Sequence, residues 1–176
     1  YLLACQAGQG PPLWWAGKHH HHHRSCDTAQ DPHSPSVIGL RACLFWMYTQ
    51  DGLVGRRTGI CREYPELVYV DNVAYVLGSI PHVLVYYYLG IAYSIFVSLA
   101  SGVLCNVLTQ YLNLVQHPTT TRRTCNATDV PFSIANVVGE AYHGWHHKHP
   151  RAYKRPGLDL PYYTFLLPLF VLGMIW

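Results

Sequence analysis

Charge is what this sequence has least of. Lys, Arg, Asp and Glu make up 12% of its 176 residues, against about a quarter in an ordinary soluble domain. Residues 72–121 contain none of the four. A bilayer-crossing helix needs roughly twenty apolar residues; a soluble protein could bury such a run as core strands or helices, but a membrane environment is the expected reading. The net charge of +3 is too small to argue for a nucleic-acid partner, no basic-aromatic module appears, and no such partner is expected. The six cysteines (Cys5, Cys26, Cys43, Cys61, Cys105 and Cys125) form no C-x-x-C pair, and their scatter predicts reduced, packing thiols rather than a disulfide framework. Tyr1 opens the chain and no signal-peptide n-region precedes its apolar start, so the natural N-terminus is expected upstream. Asn126-Ala127-Thr128 is a glycosylation sequon, read as a chance match within a basic segment.

Histidine is present in excess: there are twelve. Two clusters share the spacing H-x-x-H-H: His19, His22 and His23, then His143, His146 and His147. Positions i, i+3 and i+4 lie on one helical face, so each cluster can aim three imidazoles at a common point. Six neutral imidazoles from two distant segments form a nitrogen-rich transition-metal site. An affinity tag would sit at a terminus in a polar linker, whereas the first cluster lies between Trp14-Trp15 and Arg24-Ser25-Cys26. Adventitious metal binding by a histidine tract does not require the same spacing to recur more than a hundred residues away.

Asn113 and His117, four residues apart, share a helical face at the end of the uncharged run, and His117 is read as a further ligand. His33, His82 and His149 have no partner at ligand spacing, and His82 is assigned a structural role. Glu140, Asp27 and Asp31 stand where a carboxylate can accept the far N–H of a ligand imidazole.

A single domain, residues 1–176, is expected, all-α and integral to the membrane. Residues 1–15 read as the end of a span, with Trp14 and Trp15 as interfacial anchors. Residues 18–70 form a region carrying the first cluster, with a loop at Asp31-Pro32-His33-Ser34-Pro35 and a buried or interfacial helix over Val37–Tyr48. Residues 73–112 form a transmembrane hairpin, Val73–Leu89 and Ile91–Leu112, turning at Gly90 and kinked at Pro81. Residues 113–176 carry the second cluster and an interfacial or docked helix from Leu160. All twelve Lys and Arg lie before Asp71 or after Leu112. By the positive-inside rule both flanks are cytoplasmic, and an even number of spans between the clusters puts both on one side.

In four stretches the chain resembles the membrane fatty acyl desaturases, specifically the acyl-CoA Δ9 (stearoyl-CoA) type: Gly10 to Thr28, Asp31-Pro-His-Ser-Pro, Asn113 to His117, and Gly139 to Pro150. Tyr64-Pro-Glu-Leu adds to the likeness, which runs over nearly the whole chain. The resemblance implies four spans with a cytosolic histidine-rich helical cap holding two iron ions. His19, His22, His23, His143, His146 and His147 would be ligands, with His117 a further one and Asn113 reaching iron through a water. It implies an oxidoreductase of lipid metabolism that uses O2 to insert a cis double bond into a fatty acyl-CoA. It also implies that electrons come from cytochrome b5 or a ferredoxin, since no flavin, haem or nicotinamide motif is present. Arg56 and Arg57 fall nearest to where the family holds the coenzyme A phosphates. The membrane would be the endoplasmic reticulum in a eukaryote and the inner membrane in a bacterium. The alternatives are an acyl-lipid desaturase, hydroxylase or ketolase of the same di-iron class, or a non-catalytic metal-binding membrane paralogue. The family's first box, H-x-x-x-x-H, is absent and is expected upstream of Tyr1, so the chain as written is expected to be an inactive fragment. Gly17, Leu44 and Val107 depart from residues common in relatives.

Overall fold

The computed structural model describes residues 4–48, 63–119, 125–131 and 133–175, and within them the regular structure is helical with no strand. A short 3-10 turn, Ala4–Ala7, leads into α1, Pro12–Ser25. Pro12 stands at the first helical position, where its missing N–H costs nothing and its fixed φ favours the helix. The next donor, Leu13 N–H, has no partner within its own helix. It is capped from afar: Leu13 N donates to Asp71 Oδ1 at 2.8 Å. Asp71 is the last charge before the uncharged run, and it is 1% exposed. The start of the first histidine helix is thereby tied to the foot of the hairpin.

α2, Pro35–Phe45, is broken at Gly39, whose φ of 72° leaves helical space. The continuous helix expected over Val37–Tyr48 is therefore two pieces followed by a 3-10 turn, Trp46–Tyr48. Trp14, expected as an interfacial anchor, instead packs inside. It is 7% exposed and stacks on Trp46 at 5.8 Å, with Met47 completing a small core. A sequence window cannot see this partner, which lies 32 residues on.

α3, Glu66–Asn72, and α4, Ala74–Leu89, are bent by 60° at the break between them. A sharp bend thus falls at Val73, and the helix continues through Pro81, where a kink is expected. Pro81 cannot donate to Leu77 O, and Gln6 Nε2 does so in its place at 3.3 Å. With that carbonyl satisfied, the helix runs on through the proline. Gly90 ends α4 at φ 86°, ψ 176°, a conformation a β-carbon would strain, and the chain reverses there as expected. α5, Ile91–Gln116, packs back along α4. It runs four residues past the expected Leu112, and its turns at Leu99–Leu104 are π-helical.

α5 is 26 residues long and apolar enough to cross a membrane. At about 1.5 Å per residue it spans roughly 39 Å, more than the roughly 30 Å of a hydrocarbon core. None of its apolar window is buried within the protein. An apolar stretch of this length left uncovered by the rest of the fold favours an apolar medium around it, while the C-terminal turns of the helix, with Leu112 and Asn113, are buried in the protein. α3 and α4 taken together pass the same length and composition test as one bent helix. Inside the hairpin His82 takes the structural role expected of it, with Nδ1 3.1 Å from Ser98 Oγ on the facing helix.

Beyond α5 come α6, Ala135–Val138, α7, His143–Lys148, and the apolar α8, Tyr162–Val171. Leu112 of α5, Ala135 and Ala141 form a second core, which seats α7 against the end of α5. Asp159, 3% exposed, starts α8 by accepting from Tyr162 N at 3.2 Å and from Arg155 N at 2.8 Å. Most of the large apolar side chains from Phe165 to Met174 face outward.

Candidate metal centre

The first cluster lies on α1, as its spacing requires. His19, His22 and His23 share one face. His20 is exposed, and His21 turns its Nε2 to Gln30 O at 2.9 Å. The second cluster occupies α7, and His117 caps the C-terminus of α5. These three elements bring seven imidazoles together in two groups. In one, the ring nitrogens of His22, His117, His143 and His147 lie within 4.8 Å of one another, and in the other so do those of His19, His23 and His146. The groups are adjacent: the His23 and His147 rings stack at 4.2 Å.

The facing atoms are all Nε2. In the four-histidine group the close pairs are His22–His147 at 3.2 Å, His117–His143 at 2.9 Å and His143–His147 at 3.1 Å. In the three-histidine group they are His19–His146 at 3.4 Å, His19–His23 at 3.1 Å and His23–His146 at 3.0 Å. Nitrogens about 2.1 Å from one metal ion lie about 3.0 Å apart at right angles and about 3.4 Å apart at tetrahedral angles. The observed separations cover that interval.

The Nδ1 atoms show which way the protons point. His22 Nδ1 is 2.8 Å from Asp31 Oδ2, His117 Nδ1 is 3.4 Å from Asp27 Oδ2, and His143 Nδ1 is 3.3 Å from Glu140 Oε2. A carboxylate accepts only, so each Nδ1 carries a hydrogen, and in the neutral ring each Nε2 then presents a lone pair. The fourth ring, His147, has its Nδ1 3.4 Å from Cys125 Sγ. Lone pairs converging at about 3 Å repel one another unless a cation sits among them, and carboxylate-oriented imidazoles are the usual device of metal sites. The donor set therefore fits a metal ion in each group.

Electrostatics favours the same state. Burial first, and neighbouring imidazoles second, push His19, His23 and His147 down, His23 to about 4. Burial likewise lowers His22 and His146. Burial raises the carboxyls of Asp27, Asp31 and Glu140, but hydrogen bonds from His117, His22 and His143 outweigh it and hold all three below the usual range. Neutral imidazole beside carboxylate is the form that binds metal.

Asn113 is buried on the same face of α5 as His117. It donates from Nδ2 to His33 O at 3.0 Å and lies 3.2 Å from His33 Nδ1. His33 belongs to neither group. Its ring is packed between His22 at 3.9 Å and Trp46 at 4.6 Å, and burial pushes its pKa well down. His149 stacks on Trp145 at the end of α7. Arg56 and Arg57 lie outside the described residues.

Two features had no signal in the sequence. Cys26 and Cys125, 99 residues apart, are joined by a disulfide, which corrects the expectation of packing thiols for this pair. Cys5 and Cys105 are free. The pairing follows from an irregular strap, residues 125–131, laid across the ends of α1, α5 and α7. Asn126 N donates to Asp27 Oδ2 at 2.7 Å, Thr128 N to Gln116 O at 2.9 Å, and Val130 N to Ala141 O at 2.7 Å. Trp145 N, at the start of α7, donates to Asp129 Oδ1 at 2.9 Å. Gly144 admits the strap: a β-carbon there would lie 2.7 Å from Ala127 O.

Beside the centre is a cavity of about 360 Å³, within the range of small-molecule sites. Trp15, Trp46 and Leu112 line it together with His19, His143 and His146. Three buried donors of lining residues, Trp15 Nε1, Gln110 Nε2 and Arg155 Nε, have no hydrogen-bond partner among the described residues.

Comparison with protein-family models, with curated proteins and with solved structures finds no match to this chain.

Proposed function

We propose that this chain is an O2-dependent membrane acyl-CoA desaturase whose seven clustered histidines hold two iron ions. The observation that carries the reading is the convergence of seven Nε2 atoms into two adjacent groups at metal-ligand spacing. Its support in the sequence is the likeness of four stretches to the Δ9 acyl-CoA desaturases. An all-imidazole donor set suits iron, as it suits other metals that favour nitrogen. Bound iron would supply O2 activation and removal of hydrogen from an unactivated methylene, and loss of a neighbouring hydrogen would leave a cis double bond.

The chain's own residues have narrower tasks. Asp31, Asp27 and Glu140 hold protons on Nδ1 of His22, His117 and His143, keeping the opposite nitrogens free to bind metal. Trp15, Trp46 and Leu112 wall the adjoining cavity, keeping water from an acyl segment lying beside His19, His143 and His146. Gln110 and Trp15 offer donors to a polar atom of the occupant. In this reading α3–α4 and α5 are two spans of a multi-pass protein, so that α1 and α7 meet on one cytosolic face. Cytochrome b5 or a ferredoxin is the proposed electron donor, and Arg56, Arg57, Arg122, Arg123, Arg151, Lys154 and Arg155 are the basic residues proposed for coenzyme A phosphates or an acidic donor.

The test is expression of the full coding sequence containing this chain in a desaturase-deficient host, with fatty acids mapped by mass spectrometry. New monounsaturates at the ninth carbon, lost in His146→Ala, are expected. A hydroxylated product would move the protein to a sister activity, and bound iron without product under any donor would make it a non-catalytic paralogue.

A further inference from the structure

We propose that Cys26 and Cys125 form a redox latch on the four-histidine group, open for metal loading as the dithiol and metal-retaining as the disulfide. The inference rests on the two-metal reading above and extends it to regulation. Three of the four ligand rings in that group are oriented by carboxylates. The fourth, His147, is oriented by a sulfur, with Cys125 Sγ at 3.4 Å from its Nδ1. A carboxylate keeps its character under oxidants and reductants, whereas a cysteine sulfur does not.

The latch sits where it can transmit. Cys26 is the residue that ends α1, four after His22 and three after His23. Cys125 begins the strap, which reaches the other two ligand-bearing elements. Asn126 N shares the Asp27 carboxylate with His117 and Ser34, the last at 2.6 Å from Oδ1. Asp129 caps α7, and Ala127 O lies against Gly144 between His143 and Trp145. The S–S bond therefore ties the end of α1 to the segment that seats α7. Its loss leaves the strap held by hydrogen bonds and the His147 ring facing a thiol in place of a disulfide sulfur.

Exposure assigns the chemical roles. Cys125 is exposed and Cys26 is 8% exposed. On the oxidising side, the Cys125 sulfur attacks the O–O bond of a peroxide, forming a sulfenic acid and releasing water. The Cys26 thiol then displaces the sulfenic oxygen as a second water, so two thiols are oxidised to one disulfide and one peroxide is reduced. In reverse, a dithiol reductant attacks the accessible Cys125 sulfur, displaces Cys26 as the leaving thiol, and carries the disulfide away with it. Reversible disulfides of this kind are how thiol pairs in reducing compartments act as sensors. Closing the latch when peroxide accumulates would hold metal in place at the moment its release is most damaging.

The experiment uses the purified full-length protein in detergent, with zinc as a redox-inert probe. One portion is oxidised with diamide and another reduced with a phosphine. Each is desalted and loaded with zinc, and transfer to a chromophoric chelator is followed. Peptide mapping reports the Cys26–Cys125 link in each portion. Release from the slower class of sites is expected to be about tenfold slower in the disulfide form, the lower end of the effect of an outer ligand partner. Cys26→Ser and Cys125→Ser proteins should release zinc at the dithiol rate after either treatment. Equal release rates from the two wild-type forms, or slower release from the dithiol form because Cys26, Cys125 and His147 themselves hold zinc, with the link confirmed in only one form, would overturn the latch while leaving the metal reading intact. Failure of zinc to bind in either form would overturn the metal reading and the latch with it.

Discussion

Replacing Asp31 with Asn is the most discriminating single change in the centre, because it keeps shape and alters only hydrogen-bond polarity and charge. Asp31 is 2% exposed, and its carboxylate accepts from three donors. Oδ2 faces His22 Nδ1 at 2.8 Å and Asp27 N at 2.7 Å, while Oδ1 faces His22 Nδ1 at 2.9 Å and His33 N at 3.0 Å. An asparagine must put its NH2 at one of these two places. Either orientation sets a donor against a backbone N–H, which costs about 1–3 kcal/mol as a buried unsatisfied group. Whichever way the amide turns, His22 loses a charged acceptor. It is then free to move its proton to Nε2, the atom 3.2 Å from His147 Nε2. Loss of such a partner typically weakens metal binding 10- to 100-fold, or about 1.4–2.7 kcal/mol. The loss should fall on the four-histidine group alone, since Asp31 holds His22 and not His19, His23 or His146. Zinc competition against a chromophoric chelator resolves the two equivalents. Asp31→Asn should weaken one of them by about 10- to 100-fold and spare the other. A folded variant binding both equivalents with unchanged affinity would refute the assignment of Asp31 as the group that sets the His22 tautomer.

Further expectations follow from the same geometry. Gly144→Ala places a β-carbon 2.7 Å from Ala127 O, so strap and α7 must part. Such overpacking costs about 1–3 kcal/mol, read as a lower unfolding midpoint together with weaker zinc binding; a variant as stable as the parent would show the strap to be loose. Acid should destabilise the metal-free protein early. Burial, then neighbouring imidazoles, hold His23 down to about 4, whereas an unfolded histidine titrates near about 6.5. The unfolded chain thus takes up protons that the folded chain refuses, and stability, flat above pH 6.5, falls between there and pH 4. A melting temperature constant across that window would contradict the buried neutral cluster. Asp71→Ala removes the cap on Leu13 N and should cost about 0.5–2 kcal/mol, seen as faster hydrogen exchange over the first turn of α1. Unchanged exchange there would mean that water replaces the cap.

The legible part of this molecule was local. The H-x-x-H-H spacing assigned six ring nitrogens to two helical faces, because three- and four-residue offsets on a helix leave no alternative. The uncharged run, with Gly90 in its middle, marked the hairpin that brings those faces together. Asp31 and Glu140 were readable as imidazole partners because each follows or precedes the cluster it serves, whereas Asp27 follows the first cluster but pairs with His117, 90 residues on. Features built from long-range contacts were not legible. Trp14 looked like an interfacial anchor until Trp46 supplied a stacking partner. The carbonyl of Leu77, which Pro81 cannot serve, takes its donor from Gln6, 71 residues away in sequence. The pairing of Cys26 with Cys125 depends on a strap with no periodicity of its own, and so does the cap that Asp129 gives α7. The division of seven histidines into a four and a three is set by helix packing, which the spacing did not encode.

Whether seven Nε2 atoms hold two metal ions is decided by iron X-ray absorption combined with elemental analysis of the same anaerobically loaded sample. Two irons per chain are expected, each with a nitrogen- and oxygen-rich shell at about 2.1 Å and imidazole scattering beyond it. Less than one iron per chain, or a shell dominated by sulfur, would contradict the account.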